Sequence, residues 1–185
     1  MGTQNCGYAL VWAARRLAAV ALLLALGSGC RCWSTVDDPC MEPTTVTVTR
    51  VLDGDTFDVQ PALELPDGSV LDRVRLLCVD APELTGGECY GAEAGAWLAE
   101  RIEGQEVTLH FIVECLGIRG RVLAYVVRGH ELLNAELARE GYALPADERY
   151  MGYACCDEVE QAILEAQEVG AGGWGVCGQG YPWGQ

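Results

Sequence analysis

The chain is 185 residues long and strongly acidic, because 12 arginines and no lysine stand against 27 aspartates and glutamates, a net charge of −15. This length suits one domain of ordinary size. The acidity excludes binding of nucleic acid through a general basic surface, so a phosphate-binding activity must rest on a local arginine cluster and a bound cation.

The first 29 residues have the features of a bacterial export signal. Arg15 and Arg16 precede an apolar run over 17–26, and small residues follow before Cys30. Ten apolar residues are too few to cross a bilayer, which needs roughly 20. We therefore predict a leader over 1–29 that is removed on export.

Cysteine number bears on how this leader is removed. The small residues before Cys30 resemble a bacterial lipobox, in which the cysteine is lipidated and holds the mature protein on a membrane. With Cys6 in the leader and Cys30 under lipid, eight of the ten cysteines remain, enough for four disulfides. A plain secreted protein with one spare thiol, or with buried unpaired cysteines, is the alternative. Both interpretations place the protein outside the cytoplasm.

The remaining chain divides into a tether, one domain and a tail. Residues 30–44 are rich in cysteine and proline, as in a short tether, and 178–185 form a Gly- and Trp-rich tail. Between them, 45–177 carries the periodic segments of a folded domain. The mature part has ten arginines and all 27 acidic residues, a net charge of −17.

The order of the periodic segments predicts the fold. Alternation of β-branched and polar residues predicts strands over 45–52, 56–59, 70–79, 106–113 and 121–127, with a turn over 61–69. Apolar residues at i and i+4 predict helices over 90–104, 131–140 and 157–169. This is the element order of an OB-type barrel. The predicted class is mixed α+β, a five-stranded OB-type β-barrel with about three α-helices, stapled by disulfides.

Two aspartates at strand ends are the candidate metal ligands. Asp55 and Asp80 lie 25 positions apart, and two carboxylates with a carbonyl and waters would suit Ca²⁺, which takes about 6–8 oxygens. On its own, an Asp-Gly-Asp sequence is more typical of an ordinary β-turn.

Arginines and one glutamate complete the candidate site. Arg75 and Arg121 are candidate phosphate clamps, since a guanidinium offers paired donors to two phosphate oxygens. Glu83 follows a proline at a strand end, where it would act as general base on a water. A surface arginine or a solvated loop glutamate is the alternative for each residue alone.

Five sequence blocks stand out together. They are Leu-Asp-Gly-Asp-Thr at 52–56, Arg-Leu-Leu-Cys-Val-Asp-Ala-Pro-Glu at 75–83, Tyr-Gly-Ala-Glu-Ala at 90–94, Gly-Arg-Val-Leu-Ala-Tyr at 120–125, and the segment 134–141. In order and spacing they resemble the thermonuclease (staphylococcal nuclease-like) family over about 46–174. The resemblance implies an OB-barrel phosphodiesterase that cleaves DNA and RNA with Ca²⁺.

The resemblance also implies a role for each matching position. The implied roles are calcium binding for Asp55, Asp80 and the backbone carbonyl of Ala81, phosphate binding for Arg75 and Arg121, and activation of the attacking water for Glu83. Ala81 replaces a common threonine, which is harmless if only the carbonyl is used.

Two segments depart from the family pattern. Residues 117–120 read Gly-Ile-Arg-Gly where the family has Asp-x-Tyr-Gly, and 144–147 read Leu-Pro-Ala-Asp where the family has base-stacking tyrosines. Tyr150 or Tyr153 would have to substitute for those tyrosines. Arg73 and Arg119 would add to the arginine patch and so contribute to substrate binding.

The cysteines are predicted to be staples. They lack paired C-x-x-C spacing, so a zinc site is not expected. The adjacent Cys155 and Cys156 should bond to different partners, and Cys89 and Cys115 flank the predicted site, where disulfides would rigidify its rim. Cys78 faces inward on its strand, and a buried thiol is the alternative for it.

Two functions are compatible with these observations. The preferred hypothesis is an exported, lipid-anchored, monomeric, Ca²⁺-dependent nuclease acting on DNA or RNA. The alternative is a catalytically inactive OB-fold binding module of the cell envelope. Such a module would be expected to have lost at least one candidate site residue, and every one is present.

Overall fold

A computed structural model describes residues 38–117, 119–146, 153 and 155–177. These residues lie within one unit, Cys32–Gln185. The predicted leader over 1–29, Cys30, most of the tether, Tyr150 and the tail over 178–185 lie outside the described residues. Within the described ranges, no helix is both long enough and apolar enough to cross a membrane.

Eight strands and four helices make up the described part. The strands are β1 (Thr44–Val51), β2 (Thr56–Glu64), β3 (Val70–Leu76), β4 (Val79–Asp80), β5 (Glu106–His110), β6 (Val122–Arg128), β7 (Glu131–Leu132) and β8 (Leu144–Pro145). The helices are α1 (Gly91–Ile102), α2 (Leu133–Arg139), α3 (Cys156–Val169) and the one-turn α4 (Gly173–Val176).

Five of the strands close into a barrel, which confirms the predicted OB-type fold. Hydrogen-bonded neighbours run β3-β2-β1-β5-β6, and a parallel pairing of β3 with β6 completes the ring. In that pairing Arg75 stands opposite Leu123. The closure therefore brings the segment that ends at Leu76 beside the start of β6, 46 residues later in the chain.

The barrel interior follows the two-residue period of its strands. Val46 and Val48 of β1 are buried while their neighbours are exposed or half-buried, as expected when one strand face is covered. In α1, Leu98 and Ile102 are fully buried four residues apart, so one helix stripe packs on the barrel. These apolar faces account for the single core.

Several predicted boundaries were wrong; the strand predicted over 106–113 ends at His110, and Glu131–Leu132 form β7 where a helix start was predicted. The strand β2 continues through Glu64, because its pairing with β3 is interrupted after Asp58 and resumes at Leu63 opposite Leu71. The predicted 61–69 turn is therefore restricted to the residues after Glu64. The predicted third strand ends at Leu76 because Cys78 has a left-handed φ of 66°, which a strand does not tolerate.

Candidate active site

The turn after β1 fits tightly against two other elements. A Cβ at Gly54 would lie 2.6 Å from the Ala81 Cβ and 2.7 Å from the Ala94 Cβ, so this approach requires glycine. The Asp55 N–H donates to Asp53 Oδ1 at 3.0 Å, which closes the turn. Asp55 is thereby held between β2, the residue after β4, and α1.

Asp55 is the buried carboxylate of the site. The residue is only 1% exposed, and its oxygens accept hydrogen bonds from three groups. The donors are Thr56 Oγ1 at 2.8 Å, the Ala81 N–H at 2.9 Å and Arg75 Nη1 at 2.6 Å. The predicted ligands Asp55 and Ala81 are therefore in direct contact through the Ala81 backbone.

Burial dominates the titration of Asp55. Desolvation raises the pKa of its carboxyl from the ordinary 3.8 to about 7, although Arg75 lowers it and Asp53 raises it further. The group is thus poised to change charge near neutral pH, where a cation or an anion at the site would shift its balance.

The shifted pKa of Asp55 predicts a pH-dependent stability in the presence of chelator. The folded protein keeps the Asp55 proton up to about pH 7, while the unfolded chain releases it near 3.8. The unfolded state therefore binds fewer protons between these values, and this group lowers the unfolding free energy as pH rises through them. Urea titrations from pH 4 to 7 should show a loss on the order of a few kcal/mol relative to Asp55→Asn. If the unfolding free energies of the wild-type protein and Asp55→Asn changed equally with pH, the raised pKa of Asp55 would be contradicted.

Arg75 joins the two predicted metal-binding carboxylates. Its Nη1 donates to Asp55, and its Nη2 donates to Asp80 Oδ1 and, at 3.4 Å, to the Val79 carbonyl. Its side chain is 11% exposed, whereas that of Asp80 is 43% exposed. Burial lowers the pKa of the Arg75 guanidinium, but the charges of Asp55 and Asp80 outweigh burial and raise it. Asp55 and Asp80 thus converge on one cationic group.

A sharp turn carries Asp80 back to Arg75. Cys78 lies at this turn and forms a disulfide with Cys156 at the start of α3. The hydroxyl of the buried Tyr125 lies 3.6 Å from Cys78 Sγ and 3.8 Å from Cys156 Sγ. The 77–79 segment is therefore anchored to β6 and α3. The prediction that the cysteines are staples is confirmed for Cys78, and the alternative of a buried thiol is wrong.

Asn134 on α2 is a second anchor that sequence reasoning did not single out. It is fully buried, and its Nδ2 donates to the Leu77 and Ala124 carbonyls at 2.9 and 3.3 Å. Its Oδ1 accepts from the Val126 N–H at 2.9 Å. An asparagine inside an apolar helical stretch was the available signal, since buried amides are retained where they are hydrogen-bonded.

Arg121 lies at the start of β6, beside β3. Val122 is opposite Val74 in the parallel ladder, so Arg121, the residue before β6, is level with Arg73. Burial, and then the positive charge of Arg75, lowers the pKa of the Arg121 guanidinium, while Asp55 raises it. The two predicted phosphate-binding arginines, Arg75 and Arg121, are therefore electrostatic neighbours beside Asp55.

Glu83 lies on an exposed loop next to α1. Its backbone N–H donates to Glu88 Oε2 at 2.6 Å, and a Cβ at Gly91 would lie 2.6 Å from the Glu83 carbonyl oxygen. The start of α1 thus packs directly on the Glu83 backbone. The side chain is solvent-exposed, three positions after Asp80.

The donor set suits an open site for a hard cation. Among the described residues, no three His, Cys, Asp or Glu side chains form a group that could enclose a metal. Two carboxylates, Asp55 and Asp80, do bind the same guanidinium, that of Arg75, through different nitrogens. Such a pair fits Ca²⁺ if waters or substrate oxygens supply the remaining ligands.

Comparison with known proteins agrees with this geometry. Residues 73–175, more than half of the chain, match the model of the family described as staphylococcal nuclease homologue. A thermonuclease from Staphylococcus intermedius is 36% identical over 129 residues, covering 65% of this chain and 70% of that protein. One from Staphylococcus hyicus is 34% identical over 134 residues, covering 70% and 75%. The chain belongs to the staphylococcal nuclease family.

The family match covers most of the candidate site. Arg75, Asp80, Glu83 and Arg121 lie within the matched 73–175 span. Asp55 precedes that span, and it is linked to the site by its contacts with Arg75 and Ala81. The predicted membership of this family is confirmed, and its members named above are nucleases by name.

Arg73, the predicted addition to the arginine patch, has another partner. Its Nε donates to Asp58 Oδ1 at 2.8 Å and its Nη2 to Asp58 Oδ2 at 3.4 Å. Arg50 Nη2 donates to the same carboxylate at 2.7 Å. Arg50, Asp58 and Arg73 thus form an ion network across strands β1, β2 and β3. Arg73 lies two residues before Arg75 in β3.

Of the two segments that depart from the staphylococcal nuclease pattern, the structure describes 117, 119, 120 and 144–146. Arg119 is exposed and has a left-handed φ of 66°, and its charge contributes to the lowered pKa of Arg121. Tyr153 is partly buried against the hydrophobic core, which does not favour it as a base-stacking residue. Tyr90 and Tyr142 instead form a stacked pair that the sequence did not predict.

The disulfides hold the loops around the site. Besides Cys78–Cys156, the bonded pairs are Cys40–Cys115 and Cys89–Cys177. Cys155 is also disulfide-bonded, so Cys155 and Cys156 have different partners, as expected. Cys89 immediately precedes Tyr90 and α1, and its bond ties the end of the Glu83 loop to the residue after α4.

Proposed function

We propose that this protein is an exported, Ca²⁺-dependent nuclease that hydrolyses phosphodiester bonds of DNA or RNA. One observation carries the proposal: in a member of the staphylococcal nuclease family, two carboxylates bind the Arg75 guanidinium, and Arg121 is close enough to feel the charges of Arg75 and Asp55. A carboxylate pair suits a hard cation, and neighbouring guanidinium groups suit a phosphate. Together they match the needs of phosphodiester hydrolysis.

Asp55, Asp80 and the Ala81 carbonyl would hold the cation in this proposal. When bound, Ca²⁺ supplies positive charge beside the phosphate and stabilises the charge that develops during attack. Asp55 is held in position by Thr56 Oγ1 and the Ala81 N–H, so it enters the reaction with a fixed orientation.

Arg75 and Arg121 would bind the scissile phosphate. Attack on a phosphodiester builds negative charge on its non-bridging oxygens, and donors fixed in advance stabilise that charge most effectively. Arg75 uses three of its five N–H groups on Asp55, Asp80 and the Val79 carbonyl, so a phosphate oxygen would bind the other N–H groups or replace one of these contacts. Arg121 has the lowered pKa of a partly desolvated group, but a guanidinium keeps its charge at any physiological pH.

Glu83 would act as general base on the attacking water. Its side chain is exposed, and the packing of Gly91 and the bond from its own N–H to Glu88 hold its backbone. A carboxylate that is open to water and stands three positions after Asp80 has the access to water that this role requires.

The proposed function is tested by digestion of single-stranded DNA with the oxidised protein, with Ca²⁺ and with chelator. We expect cleavage in Ca²⁺, none in chelator, and strongly reduced turnover for Glu83→Gln with an unchanged circular dichroism spectrum. A folded wild-type sample that binds DNA without cleaving it in Ca²⁺ would favour the inactive binding module instead.

Salt should weaken substrate binding, and the slope of log affinity against log salt should be proportional to the number of arginine–phosphate contacts. Each phosphate contact contributes about −0.7 to the slope of log K against log salt for single strands, so two contacts give about −1.4, or roughly sevenfold between 50 and 200 mM. Participation of Arg73 and Arg119 would double the slope, but Arg73 is paired with Asp58. Fluorescence anisotropy of labelled DNA on Glu83→Gln measures this slope. A slope near zero would contradict the arginine clamp.

Export is supported by the cysteine chemistry. Three disulfides join the described residues, and such bonds persist in oxidising compartments. We propose that a leader over 1–29 directs export and that lipidation of Cys30 anchors a monomeric protein to a membrane. Mass spectrometry of the mature N-terminus tests this, since plain cleavage would leave Cys30 without lipid.

A further inference from the structure

Two exposed arginines share one carboxylate across three strands of the barrel. Arg50 stands opposite Asp58 in the pairing of β1 with β2, and Asp58 stands opposite Arg73 in the pairing of β2 with β3. Residues directly opposite each other lie on the same face of a sheet, so the three side chains form one row. Asp58 accepts hydrogen bonds from Arg50 Nη2 at 2.7 Å and from Arg73 Nε at 2.8 Å. The register of the barrel therefore holds the two guanidinium groups side by side.

An irregularity in β1 brings Arg50 into this row. Val46 and Val48 face the core, and regular alternation would put Arg50 on the core side as well. The pairing with β2 shifts between Val48 and Arg50, so residue 49 is unpaired and Arg50 comes out on the opposite face. Bulges re-aim side chains in this way and are frequent next to active sites. The backbone thus directs a second arginine to the carboxylate that Arg73 also binds.

Pairing with Asp58 leaves positive charge and hydrogen-bond donors for a ligand. Arg50 uses one N–H group and Arg73 uses two on Asp58, whereas each guanidinium has five. The side chains of Arg50 and Arg73 are 62% and 44% exposed, but that of Asp58 is only 12% exposed. One carboxylate cannot neutralise two guanidinium groups. The row therefore presents an excess of one positive charge to solvent, in a chain whose net charge is −15.

This row lies beside the candidate active site. Arg73 and Arg75 are two residues apart in β3, so their side chains share a strand face and are separated by about 6.6 Å along the strand. Asp58 raises the pKa of the Arg73 guanidinium, burial lowers it, and the more distant Asp53 also raises it. Asp53 acts in the same direction on Arg75 and Arg121. All three arginines therefore lie around one turn.

We propose that Arg50 and Arg73, held together by Asp58, form a second phosphate-binding subsite for a nucleotide that flanks the scissile phosphate. This rests on the proposed nuclease function and its nucleic-acid substrate. The scissile phosphate binds at Arg75 and Arg121, while a phosphate further along the same strand binds the pair. Because Asp58 fixes the two guanidinium groups in advance, little side-chain freedom is lost on binding. Contacts with the backbone fix the register of a bound strand without reading its sequence.

The test measures binding of a labelled ten-nucleotide thymidine strand by fluorescence anisotropy in Ca²⁺, on the Glu83→Gln background. Arg50→Gln with Arg73→Gln should weaken binding roughly tenfold at 50 mM salt, the effect of losing one hydrogen bond to a charged group. One lost phosphate contact should also make the salt slope shallower by about 0.7. This contact adds to the slope of about −1.4 expected from Arg75 and Arg121 alone. Thymidine dinucleotide, which has no flanking phosphate, should compete equally for both proteins.

Arg128→Gln with Arg139→Gln is the matched control. These two arginines also form exposed ion pairs, with Glu131 and Glu136, and their removal costs the chain the same two positive charges. Arg128 is the last residue of β6, about 23 Å along that strand from Arg121. A subsite at Arg50 and Arg73 predicts that the control keeps the wild-type slope. An equal change in both double variants would overturn the subsite, since it would show a general effect of net charge.

The remaining outcomes separate this subsite from the function on which it rests. If the double variant does not fold, Arg50→Gln alone decides, because it leaves Arg73 paired with Asp58, and its slope should also be shallower. An unchanged slope in the folded variant, or equal weakening for the dinucleotide, would overturn the subsite and leave the nuclease proposal standing. Binding that depends on Arg50 and Arg73, with no cleavage by the wild-type protein in Ca²⁺, would overturn the nuclease function and keep the subsite.

Discussion

Replacing Arg121 by alanine should lower the turnover of single-stranded DNA by about 10²–10³-fold while the protein stays folded. Removal of one donor to a developing charge typically has an effect of this size. Arg121 is partly buried at the start of β6, and its neighbouring charges include Arg75, whose repulsion of Arg121 is relieved by the change. Single-turnover rates in saturating Ca²⁺, with thermal unfolding in parallel, measure both quantities.

Arg75→Ala should lose turnover at least as strongly, but it should also lose stability. The Arg75 side chain is 11% exposed and that of its partner Asp55 is 2% exposed. Breaking such a buried pair typically costs about 3–5 kcal/mol, because Asp55 must then either keep an unpaired charge in the interior or take up a proton. Adding Asp55→Asn to Arg75→Ala should recover stability without recovering activity. Wild-type turnover in either folded arginine variant would contradict the phosphate-clamp assignment.

Removing the Cys78–Cys156 disulfide should reduce both stability and kcat. The bond anchors the turn that returns Asp80 to Arg75, with Cys78 in a left-handed conformation within that turn. We expect the double change to alanine to lower the unfolding free energy by about 2–5 kcal/mol. A displacement of Asp80 near 1 Å would lower kcat by up to about 10²-fold. Stopped-time assays well below the unfolding temperature measure kcat on folded protein.

The Cys40–Cys115 disulfide offers a matched control. The two bonds close loops of nearly equal length, with sequence separations of 75 and 78, so chain entropy predicts nearly equal losses of stability. Cys40–Cys115 lies outside the 76–80 turn, although the Cys115 carbonyl accepts from the Leu123 N–H two residues after Arg121, so its removal should lower kcat less than removal of Cys78–Cys156 does. Equal losses of kcat in the two variants would show that the effect of Cys78–Cys156 is general loosening of the fold.

Local sequence was enough to predict the five barrel strands and the three longer helices, but not the short elements β4, β7, β8 and α4. In a strand the side chains that face the core recur every two residues, and in a helix every 3.6 residues. The apolar residues of 45–127 and 131–169 follow these two periods. The predicted ends of elements were wrong where pairing with another strand determines how far a strand continues. The strand β2 continues past Pro61 because its pairing with β3 resumes after an irregularity.

The sequence by itself determined the family, the barrel class and the five charged side chains proposed for the site, because motif order and spacing are properties of the chain alone. Only the tertiary structure decided their surroundings. It buries Asp55 under Arg75, pairs Arg73 with Asp58, and stacks Tyr90 on Tyr142. Each of these contacts joins residues 15 to 52 positions apart. The two ion pairs depend on the register of β2 against β3, which sets Asp58 opposite Arg73, and the stacked rings depend on how the start of α1 lies against the end of α2. Short-range periodicity carries no record of such contacts.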